Sequence, residues 1–79
     1  MRIIGEIPHP SFKITLYTWN NRYLIKLERD KLEQTFKVEQ FDITSEKELP
    51  LLLSDAFLQR ASDRFDEMEQ SLAETLGTL

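Results

Sequence analysis

The sequence predicts an α+β fold: a four-stranded antiparallel meander sheet (order 1-2-3-4) with a C-terminal helical segment, a short helix and then a long one, packed on one face. Three observations predict it. Apolar residues alternate with period two through the first half of the chain. Asn20-Asn21 and Asp30-Lys31 interrupt that alternation at hairpin spacing. From Leu49 onward the apolar residues recur every three or four positions instead.

The stretch SFKITLYTW sets Phe12, Ile14 and Leu16 on one strand face and Lys13, Thr15, Tyr17 and Trp19 on the other. Asparagine tolerates positive φ, so Asn20-Asn21 suits a two-residue turn. That turn pairs Leu16 with Ile25, Ile14 with Leu27, Lys13 with Glu28 and Trp19 with Arg22. A second such turn at Asp30-Lys31 pairs Ile25 with Phe36, Tyr23 with Val38 and Arg22 with Glu39. It leaves one poor pair, Glu28 opposite Glu33. Before these strands, GEIPHPSF reads as a corner whose prolines donate no N–H and stop the ladder. A four-residue turn over Pro8–Ser11 makes residues 2–7 the first strand. It pairs Ile7 with Phe12, Gly5 with Ile14 and Ile3 with Leu16 on the apolar face, and Glu6 with Lys13 on the other.

In the second half, Leu49, Leu53, Phe57, Ala61, Phe65, Met68, Leu72 and Leu76 form one helical stripe. Ser45 and Glu48 read as a capping box, Ser54 as a second N-cap and Gly77 as a C-terminal cap. Pro50 lies too deep for a first helical turn. These signals predict a short helix near 45–53, a break, and a long helix near 55–76. Leu51, Leu52 and Leu58 add apolar surface beyond the stripe. The 79 residues make a single domain over 1–79, with the sheet at about 2–41 and the helical region at about 45–76.

Composition narrows the function. The chain has no cysteine, which removes disulfides, thiolate metal sites and thiol nucleophiles and suits a reducing compartment. The opening MRIIGEIPHP lacks the apolar core of a signal peptide, and no run approaches a membrane span. A soluble, cytoplasmic protein without membrane contact is the expectation. The net charge is −4, acidic overall, with +2 in residues 1–41 and −6 in residues 42–79. That argues against general nucleic-acid affinity. Only two glycines occur, no phosphate-binding loop or metal-ligand spacing appears, and no Ser–His–Asp arrangement is legible. The expectation is therefore a non-enzymatic protein with no catalytic residues, no metal and no cofactor. His9, between two prolines, reads as a solvent-exposed turn residue. Asp63, Asp66, Glu67 and Glu69 read as the solvated acidic face of the long helix.

The outer sheet face is the one candidate site. It collects Arg2, Ile4, Lys13, Thr15, Tyr17, Trp19, Arg22, Leu24, Lys26, Thr35, Lys37 and Phe41. A free sheet face should be polar, so an apolar patch of Tyr17, Trp19 and Leu24 points to a protein contact. The interaction surface expected is Tyr17, Trp19, Arg22, Leu24, Lys26 and Lys37. The competing structural reading has cross-strand aromatics stiffening the sheet, with Arg22 stacked on Trp19. A self-associating module, a dimer most simply, is the functional expectation, with a further protein as partner and the exposed part of the long helix as the other contact surface. The alternative is a binder of single-stranded nucleic acid, because Lys13, Arg22, Lys26 and Lys37 interleave with Tyr17 and Trp19. Glu6, Glu28, Glu33 and Glu39 dilute that charge.

Overall fold

The computed structural model describes residues 1–79. Strands β1 (Arg2–Ile7), β2 (Lys13–Trp19), β3 (Arg22–Arg29) and β4 (Leu32–Glu39) form one antiparallel sheet in the order β1-β2-β3-β4. A 3₁₀ turn (Gln40–Asp42), a 3₁₀ helix (Glu46–Leu52) and helix α1 (Asp55–Leu76) follow. No helix is long and apolar enough to cross a membrane.

The two hairpins form as their turn residues dictate. Asn20 and Asn21 both take positive φ (56° and 62°), as does Asp30 (53°), and only a small polar side chain adopts that region readily. The β2–β3 and β3–β4 registers are those predicted from the sequence, including Leu16–Ile25, Trp19–Arg22, Ile25–Phe36, Arg22–Glu39 and the like-charged Glu28–Glu33.

The first strand departs from expectation. Ile7 pairs with Ile14, not Phe12, and Gly5 pairs with Leu16, not Ile14. The prolines set the corner but not its length. Phe12 is thereby released from the ladder and turns inward. A β-bulge then intervenes between Ile3 and Gly5, so Ile3 pairs with Tyr17 and Arg2 with Thr18. A bulge adds one residue and re-aims the side chains beyond it. Ile4 therefore packs on the core, and Ile3 is the residue left outside, 59% exposed. Their predicted faces are exchanged.

The core lies between the sheet and the helical region. Phe12, Ile14, Leu16, Ile25 and Leu27 from the sheet meet Leu49, Ala61 and Phe65. Burying each of the larger side chains contributes about 1.5–3 kcal/mol. Phe65 meets the Phe12 ring at 5.5 Å between centroids, and Phe57 stands edge-on to Phe36 at 5.2 Å. Polar ties reinforce the contact. Gln34 donates to the Ala61 carbonyl (2.9 Å), and Arg64 donates to Gln34 (2.9 Å). Arg29 donates to Asp66 (3.0 Å) and Glu69 (3.1 Å) while lying over the Phe65 ring. Two of the four carboxylates expected to be merely solvated thus hold the helix to the end of β3.

The short helix forms over Glu46–Leu52, but as 3₁₀ and not α. Pro50 lies inside it, offers no N–H for an α-helical bond, and instead accepts the Leu53 N–H at 3.1 Å. At its start the Glu48 carboxylate accepts the Ser45 N–H (3.1 Å) and the Thr44 N–H. Hydrogen bonds from the Thr44 side chain, then from the Thr44 and Ser45 backbone, hold that carboxyl below the usual glutamate range. The folded state favours the ionised form, so its stabilisation is present above the unfolded-chain value and disappears as pH falls through the lowered folded one. Glu48→Gln is expected to be less stable than the wild type at neutral pH, with the two converging in acid. Urea titrations of both across pH check this; a gap unchanged down to the lowest pH would refute it.

Helix α1 starts where Ser54 accepts the Phe57 N–H (3.1 Å) and ends at Gly77, whose N–H bonds the Ala73 carbonyl (2.9 Å). Gly77 caps in a right-handed conformation (φ −66°), so its lack of a side chain is not required for φ. At 1.5 Å per residue α1 is about 33 Å long. It runs past the sheet, and the molecule's longest dimension is 46 Å.

Candidate interaction surface

On the outer sheet face the register sets Tyr17 opposite Leu24 and Leu24 opposite Lys37, with Trp19 opposite Arg22. The bulge adds Ile3 beside Tyr17. Trp19 is 45% exposed and Tyr17 half-buried, while Leu24 is only 5% exposed. The apolar patch is therefore Ile3, Tyr17 and Trp19, with Leu24 as its floor beneath longer neighbours. Phe41 belongs to the 3₁₀ turn beyond β4 and not to the sheet. Ile3 was missed in the sequence. Gly5 within a strand was the available signal, because such a glycine marks bulges.

The basic residues divide. Arg22 donates to Glu39 at 2.8 Å instead of stacking on Trp19, and Lys26 pairs with Glu33 at 3.2 Å. The hydrogen bond and charge of Glu33, with Glu28 behind it, hold the Lys26 ammonium above the usual lysine range. This diagonal pair relieves part of the Glu28–Glu33 repulsion. Lys13 and Lys37 are exposed, and neither enters an ion pair within the chain.

Thr15 lies in the middle of the same face, 1% exposed, and its hydroxyl has no hydrogen-bond partner. A buried unpaired hydroxyl is costly and valine has the same shape. Thr15→Val is expected to raise stability by about 1 kcal/mol. Urea denaturation measures it; a comparable loss would mean that the hydroxyl is hydrogen-bonded in solution.

His9 is half-buried, not solvent-exposed as expected. Its ring stacks on Phe12 with centroids 4.2 Å apart, and its Nδ1 accepts the Ser11 N–H at 3.1 Å. The release of Phe12 from the ladder supplies the ring it covers. His9, Ser11, Asp55 and Ser62 meet around an open hollow of about 290 Å³. His9 Nδ1 is engaged by the backbone of its own corner.

No known family, curated protein or solved structure matches this chain.

A second apolar surface appears where α1 passes the sheet. Leu72, Ala73 and Leu76 face Leu32 and the Asp30-Lys31 turn across a groove of about 540 Å³. The stripe read from the sequence is buried at Leu49, Ala61 and Phe65 but open at Leu72 (39%) and Leu76 (51%). The sheet ends before the stripe does.

Proposed function

We propose that this chain is a small non-enzymatic interaction module that self-associates as a dimer and presents the Ile3/Tyr17/Trp19 patch to a protein partner. The observation that carries the reading is where burial stops. A two-layer fold this small leaves one sheet face with an aromatic patch and one helix end with exposed leucines. Association supplies the core that a short chain lacks. A cytoplasmic setting fits the absence of cysteine.

Single-stranded nucleic acid is the weaker reading. Tyr17 and Trp19 could stack bases, but Arg22 and Lys26 are occupied by Glu39 and Glu33 on the same face, leaving two free cations to hold phosphates.

Solution mass by light scattering, over a range of protein concentrations at low and high salt, tests the self-association. A dimer retained at high salt is expected, because exposed ion pairs contribute little. A monomer at every concentration would overturn it. Oligonucleotide binding that falls steeply with salt would favour the nucleic-acid reading.

A further inference from the structure

Strand β4 is an edge of the sheet. The opposite edge, β1, is broken by the bulge and runs into Pro8, both devices that blunt an edge against pairing. β4 has neither. Its eight residues pair with β3 without a break, and none is proline. The two-residue turn makes Arg29 and Leu32 a hydrogen-bonded pair, and such pairs alternate along an antiparallel ladder. Leu32, Gln34, Phe36 and Val38 therefore turn their backbone groups toward β3. Glu33, Thr35, Lys37 and Glu39 turn theirs outward from the sheet edge, and the first three are exposed.

We propose that β4 pairs antiparallel with β4 of a second copy about a two-fold axis at Thr35, joining two sheets into one. The proposal rests on the reading that the chain self-associates, and it names the seam. The occupant follows from the sequence of the strand itself. Keeping each face continuous requires odd residues opposite odd ones. Centred on Thr35, Glu33 meets Lys37 of the partner subunit, and the exchange repeats across the axis. Lys31 meets Glu39 of the partner subunit, Leu32 meets Val38 of the partner subunit, and the two Thr35 residues face each other. Neighbouring choices oppose like charges. An axis at Gln34 sets Lys31 against Lys37, one at Phe36 sets Glu33 against Glu39, and one at Glu33 or Lys37 sets that residue against itself. The Thr35 register also answers two features of the single chain. Glu28 faces Glu33, and Lys37 has no ion pair. In the joined sheet Lys37 of the partner subunit lies in line with both glutamates.

Two substitutions test this on the full chain, with solution mass and cross-linking as readouts. Lys37→Glu sets Glu33 against a glutamate twice and is expected to weaken the dimer roughly tenfold or more. Adding Glu33→Lys to it restores opposite charges and should recover the dimer. Thr35→Cys supplies the chain's first thiol. Hydrogen-bonded antiparallel partners have Cα atoms about 5.5 Å apart, within disulfide reach. Mild oxidation should therefore link Thr35→Cys chains faster than Lys13→Cys chains, whose thiol lies away from the edge on the same face. A wild-type dimer that ignores Lys37→Glu and cross-links no faster at 35 than at 13 would overturn the seam and leave self-association standing. A wild-type monomer at every concentration would overturn both.

Discussion

Phe65→Ala is expected to cost about 3–5 kcal/mol, the usual range for emptying a buried aromatic site. The stability of a domain this size is roughly 4–12 kcal/mol in total, so the loss takes away a large share of it. The reason is the number of elements that converge on one ring. Phe65 is fully buried, touches Phe12 from the loop before β2, and lies under the Arg29 guanidinium that also binds Asp66 and Glu69. Without the ring, Arg29 keeps its carboxylates but loses the surface it lies on. Circular dichroism with urea titration measures the change. A loss below about 1 kcal/mol, ordinary for a surface position, would show that the helix is not seated as described.

Leu49→Ala is expected to cost about 2–5 kcal/mol. Leu49 is the only buried residue of the 3₁₀ helix and is fully enclosed. It therefore anchors the whole connection between β4 and α1. Its neighbour Leu51, 76% exposed, is the control: Leu51→Ala should stay within about 0.5 kcal/mol of the wild type. Equal effects at the two positions would mean that the connection packs differently.

Much of this arrangement was legible in the residues. Asn20-Asn21 and, more weakly, Asp30-Lys31 mark two-residue turns, and a four-residue turn would keep the same faces. The faces of β2, β3 and β4 were therefore legible, and the structure supplies the exact loop lengths and register. Pro8 and Pro10 specify a corner without specifying how many residues it takes, so the β1 register was not legible, and neither was the inward turn of Phe12 that partly covers His9. Gly5 carried a faint sign of the bulge, but a glycine alone does not say which neighbour is displaced. The helical stripe was legible along its whole length. Where its burial ends was not, because that depends on where the sheet stops beneath it. The outer-face residues were placed correctly on β2, β3 and β4. The depth of Leu24 and the ion pairs of Arg22 and Lys26 depend on side chains from neighbouring strands.

The bulge in β1 has a consequence for growth. A sheet with two open edges can add copies at both, and the product is an open-ended ribbon. Here only one edge is regular, and a second copy brings to the outside only its own broken edge. In the proposed pairing, association along strand edges would therefore close at two chains, because the joined sheet exposes only its two bulged edges.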